Sequence, residues 1–258
     1  MPWTLSHPAA VLPFRPFAKR PLSFAALVIG SMTPDVGYSL NRFDLSNFAH
    51  TMVGSFVACV PTGLILLVIF GLFRRPVAYA LPSPHRQALM PLCSPFPRKL
   101  VDWGVLLLAL WVGAWTHIFW DAFTHDGGWF VEHWPALQQS LGDWWDSNVH
   151  VYLVLQELST VIGFALIVLA YCLWLRRRPT TEASLVESDT WRYLFWCAVL
   201  LVSFAICIPA AFHYAINAKL RGLSFARSIC FQTAINSAAL ALPLIIVASS
   251  VVYLRRHR

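Results

Sequence analysis

The chain has 258 residues, of which 58% are hydrophobic and 12% charged, with a mean hydropathy of +0.61. Soluble domains carry about 25% charged residues, so the composition excludes that class and points to an integral membrane protein. The net charge of +7 is spread between apolar runs and carries no nucleic-acid signature, and the six cysteines form no CxxC pair.

In chain order, the first chemically informative residue is His7 in TLSHPAA, where Thr4 or Ser6 is placed to cap a short helix. Lys19 and Arg20 precede an apolar stretch, Leu22 to Met32, too short to cross a bilayer, and no small-x-small cleavage site follows. That stretch is expected to be a buried or re-entrant half-helix. The turn GSMTPD comes next, with Pro34 and Gly37 holding the carboxylate of Asp35. His50 then opens the first of five expected spans: Val53 to Phe73, Trp103 to Trp120, Leu158 to Leu175, Tyr193 to Phe212 and Ile235 to Leu254. The expected fold class is all-α, a polytopic membrane helical bundle in a single membrane-embedded domain. Its parts are an N-terminal ligand-bearing segment (1–50), two spans with a metal motif (51–125), an outer loop (126–150) and three further spans (151–258).

Orientation follows from Lys and Arg. Segments 74–99 and 176–192 and the C-terminal tail hold 12 of the 19 basic residues, whereas Val101 to Leu175 holds none. The first group is expected on the cytoplasmic side and the 121–150 loop outside. The same threading puts Arg15, Lys19, Arg20, Arg42, Lys219, Arg221 and Arg227 on the outer side.

The second span ends in GAWTHIFWDAFTHDGG, with His117, Asp121 and His125 four residues apart. At about 100° and 1.5 Å per residue they share one helix face while climbing about 12 Å. One ion cannot reach both histidines of an unbroken helix, but Asp121 is one turn from each and can bridge two ions. Gly127 and Gly128 are expected to end the helix and can bring His125 closer. Two imidazoles and a carboxylate are costly in apolar surroundings unless paired or ligated. His50 and Asp35 come to the same side by topology, as does His7. Glu132, His133, His150 and Glu157 are supplementary ligand candidates. Arg42, Lys219, Arg221 and Arg227 are candidate anion clamps, and Trp129, Trp134, Trp144 and Trp145 suit an interfacial aromatic belt.

The order His7, Asp35, His50, then G-x-x-T-H-x-x-x-D-x-x-x-H at Gly113 to His125, together with MPWTLSHPAAVLP, GSMTPD and WDAFTHDGG, resembles the bacterial membrane-protein family labelled domain of unknown function 4184. More distantly, the ligand order is similar to that of zinc-dependent phospholipase C and of LexA-binding inner-membrane hydrolase-like proteins. The second resemblance implies zinc held by His and Asp from several helices. His50, His117, Asp121 and Asp35 would hold one ion, and Asp121 and His7, with His125 nearby, another. The phospholipase pattern continues with His-x-x-x-Glu, which does not occur after His125, so one or two ions are expected rather than three.

The expected function is a zinc-dependent hydrolase of the bacterial inner membrane. Its site faces the periplasm, Asp35 is the general base, and the substrate is a lipid-linked or other membrane-proximal phosphoester. The alternatives are a non-catalytic membrane protein with a structural metal site, and a metal or proton transporter. No substrate-binding residue or oligomeric state follows from the sequence.

Overall fold

The computed structural model describes residues 4–256 except 19, 41, 94, 145–146 and 179–188. Among the described residues the fold is all-α with one small hairpin. A 3₁₀ helix, Thr4–Phe14, is followed by α1 (Pro21–Gly30), a 3₁₀ turn at Thr33–Asp35, α2 (Val36–Ser39) and α3 (Phe43–Ala49). Next come α4 (Met52–Gly54), a π-helical turn at Ser55–Cys59, α5 (Val60–Ala80), α6 (His85–Leu89), α7 (Leu100–Thr124), α8 (Trp129–His133) and α9 (Pro135–Gln138). The antiparallel strands β1 (Ser140–Trp144) and β2 (Ser147–His150) precede α10 (Val151–Arg176), α11 (Thr190–Asn217) and α12 (Gly222–Arg256).

Among the described residues, five helical stretches are long and apolar enough to cross a membrane: Met52–Ala80, Leu100–His133, Val151–Arg176, Thr190–Asn217 and Ser224–Arg256. Each of the five expected spans falls in one of them. Many of their large side chains, such as Val161 and Leu201, point away from the protein, as lipid-facing residues should. The 126–150 loop is more structured than expected, because α8, α9 and the β1–β2 hairpin all form within it.

The chain divides into two compact units. The first comprises Met1–Gly71 and Ser94–Arg177. Its core is built by Val11 of the 3₁₀ helix, Leu22, Ala26 and Leu27 of α1, Leu67 of α5, and Leu106, Ala109 and Leu110 of α7. Helices α1 and α7 touch backbone to backbone, since a Cβ on Gly113 would lie 2.3 Å from the Leu27 carbonyl oxygen and one on Gly30 would lie 2.1 Å from that of Leu110. Small residues at such crossings are how membrane helices gain van der Waals contact.

The two helices run in the same direction, with Arg20 ion-paired to Asp102 at one end and the Ser31 carbonyl on His117 at the other. Arg15 lies with its guanidinium 6.0 Å from the Phe24 ring on the first turn of α1. Arg15 and Arg20 therefore sit at the Lys99–Asp102 end of α7, about 28 Å along the axis from Asp121. This corrects the expectation that they share a side with the ligands. The expectation failed because the Thr4–Phe14 segment runs back along the bundle before α1 returns, so the basic turn between them is at the opposite end. Lys19 and Trp145 lie outside the described residues, as do the side chains of Trp144 and Arg227.

The second unit comprises Leu72–Cys93 and Arg178–Arg258. At the end of α5 the carbonyls of Tyr79 and Ala80 lack intrahelical partners, and Arg192 Nε and Trp196 Nε1 donate to them at 3.2 and 2.9 Å. Fully buried Arg192 is also paired with Asp189 at 3.0 Å and covered by the Trp191 ring at 4.4 Å. Asp189 in turn accepts the Ser83 N–H.

Candidate metal centre

Three elements of the first unit deliver the site. The 3₁₀ turn Thr33–Asp35 presents Asp35, the C-cap of α3 presents His50, and the last two turns of α7 present His117 and Asp121. Asp35 Oδ1, His50 Nε2, His117 Nε2 and Asp121 Oδ2 face one another. Ligand atoms of these four residues all lie within 4.8 Å of one another, so the group could hold a metal ion.

Backbone carbonyls fix the protonation of both imidazoles. His50 Nδ1 lies 2.8 Å from the Ser46 carbonyl oxygen and His117 Nδ1 2.8 Å from that of Ser31. A carbonyl only accepts, so each Nδ1 carries a proton and each ring turns its Nε2 toward the centre. The two Nε2 atoms are 3.3 Å apart. Two imidazole Nε2 atoms and two carboxylate oxygens thus converge, a donor set that could hold a cation.

The spacing fits one. Bonds of about 2.0–2.1 Å make a tetrahedron with edges of about 3.3–3.4 Å. His50, His117 and Asp121 form a near-equilateral triangle with sides of 3.1, 3.2 and 3.3 Å. Asp35 Oδ1 is the looser corner, 3.4 Å from His117 and 3.8 Å from His50. The Asp35 carboxylate is oriented from behind by the Thr4 hydroxyl, which donates to Oδ2 at 2.7 Å. Burial acts to raise the Asp35 pKa, but the adjacent His117 and the Thr4 hydrogen bond outweigh it and hold the carboxyl below its usual range. The site is sealed except on one flank: the side chains of Asp35, His117 and Asp121 are 7% exposed or less, that of His50 22%.

A second grouping shares Asp121. Its Oδ1 has no hydrogen-bond partner, and lies 3.6 Å from His7 Nε2 and 3.5 Å from His125 Nδ1. His7 Nε2 and His125 Nε2 are likewise without partners. His7 stacks on His117 with centroids 3.6 Å apart. Burial, and secondly His117, push the His7 pKa down to about 3, so its ring is neutral at ordinary pH. His125 is the extended residue that ends α7, and this break lets its ring fold back toward Asp121.

A family model described as Domain of unknown function (DUF4184) matches residues 1–251. The chain belongs to this family. No curated protein and no solved structure matches it.

In this DUF4184 protein the other sequence candidates lie elsewhere. His133 is exposed, stacks on Trp129 and donates Nδ1–H to the Trp129 carbonyl. His150 donates to the Gln138 carbonyl and stacks on Tyr152. Glu132 and Glu157 are exposed. Arg42 is tied to Asp44 by hydrogen bonds of 3.0 and 2.7 Å. Lys219 and Arg221 belong to the second unit. Sequence reasoning passed over the carbonyls of Ser31 and Ser46, which no side-chain pattern reveals, and took Thr4 only as a helix cap. It also missed Tyr38, one turn after Asp35 and 6.4 Å from the His50 ring.

Proposed function

We propose that this protein is a zinc-dependent hydrolase acting on a lipid-linked or other membrane-proximal phosphoester. The reading rests above all on the triangle of His50, His117 and Asp121 with Asp35 as the looser fourth donor. Three protein ligands plus a position left for water is the pattern of catalytic zinc. His50 Nε2, His117 Nε2 and Asp121 Oδ2 would hold the ion. A divalent ion there supplies Lewis-acid polarisation of a phosphoryl oxygen and acidifies water. Asp35 Oδ1 is the base that accepts the proton of the attacking water, and Thr4 keeps it aimed. His7, Asp121 Oδ1 and His125 would provide donors for a second ion beside the first. The low exposure of Asp35, His117 and Asp121 excludes bulk water, and the His50 flank admits substrate.

The basic residues Arg20, Arg98 and Lys99 near the Asp102 end of α7 favour a cytoplasmic location for that end. The metal centre then opens on the periplasmic side of a bacterial inner membrane. The test is elemental analysis of protein purified in detergent without chelator, followed by assay against a panel of phosphodiester and phospholipid substrates. One or two equivalents of zinc and turnover abolished by His117→Ala are expected; protein free of transition metal ends the proposal.

One observation favours a second reading. Two His and two Asp can also close a tetrahedron completely, which is the pattern of a structural site. Asp35→Asn separates the two readings. It stops turnover with metal retained if Asp35 is the base, and it weakens metal binding if Asp35 is a fourth ligand.

A further inference from the structure

Anything that approaches the centre from the surface passes His50, the exposed member of the four. Tyr38 flanks it. Helix α2 starts directly after Asp35, so Tyr38 stands one turn beyond that carboxylate. Its ring centroid is 6.4 Å from that of His50, and its other side is held edge-on by Phe43 at 5.6 Å. The side chain is half-buried, and its phenol is close enough to Asp35 and Asp121 to be influenced by both.

The centre itself is made of acceptors. Its two carboxylates and two Nε2 lone pairs offer nothing to the non-bridging oxygens of a phosphoryl group, and the Thr4 hydroxyl is committed to Asp35. The nearby cation in sequence, Arg42, is committed to Asp44. A substrate oxyanion is stabilised further by a hydrogen-bond donor beside the ion. We propose that the Tyr38 hydroxyl is that donor, a substrate-contacting residue that binds an oxygen of the phosphoryl group at the mouth beside His50. The inference rests on the metal-centre reading above and deepens it. It makes the site selective for an oxyanion small enough to lie between His50 and Tyr38.

The test uses the full-length protein in detergent, loaded with cobalt(II) and titrated with inorganic phosphate, with the visible cobalt absorption as readout. Wild type is expected to respond saturably. Tyr38→Phe keeps the ring that packs between His50 and Phe43 and removes only the hydroxyl. It should hold the same cobalt stoichiometry with the same thermal midpoint, yet bind phosphate about tenfold or more weakly, as loss of a hydrogen bond to a charged group implies. Equal phosphate affinity in the two proteins overturns the proposal. So does a wild-type cobalt spectrum indifferent to phosphate, or loss of cobalt from Tyr38→Phe, which makes the residue structural. Wild type that binds no cobalt overturns the metal-centre reading itself, a failure distinct from the other three.

Discussion

The Ser31 carbonyl oxygen lies 2.8 Å from Nδ1 of His117, joining residues 86 positions apart. This contact exists because Gly30 and Gly113 let α1 and α7 approach until their backbones touch. A methyl group at 113 would meet the Leu27 carbonyl at 2.3 Å and the Ser31 amide nitrogen at 2.8 Å. Both are backbone atoms that cannot rotate away.

Gly113→Ala is therefore expected to destabilise the protein by about 1–3 kcal/mol through overpacking. It should also weaken metal binding, because the carbonyl that orients His117 is displaced. A thermal melt and a zinc competition titration on the same preparation check both effects; unchanged zinc affinity would break the link between the helix crossing and the site.

His117→Ala removes one of the four proposed ligands. The loss of zinc affinity should exceed the roughly 10–100-fold typical of losing an outer-shell partner. His133→Ala and His150→Ala, whose rings donate to nearby carbonyls outside the centre, should retain zinc at the wild-type level. Metal-to-protein ratios for the three variants decide this.

Thr4→Val keeps the shape of the side chain and deletes the hydroxyl that donates to Asp35 Oδ2. Zinc should stay bound while turnover falls about tenfold or more. A kcat drop without a change in metal content is the expected signature, and an unchanged kcat argues against Asp35 as the base.

Chelation should lower the thermal midpoint, since it leaves buried acceptors facing one another without a cation. Re-addition of zinc should restore it, by about 4 kcal/mol of stabilisation at a thousandfold excess over Kd. Differential scanning in detergent with and without dipicolinate reads this directly.

The ion pair of Arg20 with Asp102 carries a topological prediction. In a background lacking the native cysteines, Arg20→Cys should react with an impermeant thiol reagent from the same face as Lys99→Cys, and Asp126→Cys from the other. Labelling of Arg20→Cys and Asp126→Cys from one face contradicts the hairpin formed by the Thr4–Phe14 segment and α1.

Sequence alone determined the membrane class, the five spans, the short half-helix before Asp35 and the identity of the ligand types. These are local properties: apolar run length, and a four-residue spacing that places His117, Asp121 and His125 on one face. Tertiary structure alone decided which donors meet. His50 and His117 are 67 residues apart and Thr4 and Asp35 are 31 apart; topology puts the ligand candidates on one side, but only the packing of α1 against α7 brings their atoms within hydrogen-bond reach. The same packing left His133 and His150 with carbonyl partners outside the centre and carried Arg20 to the end of α7 remote from the site. It also assigned the protons of His50 and His117, because that assignment depends on backbone carbonyls whose positions follow from the helix crossings rather than from any side chain in the sequence.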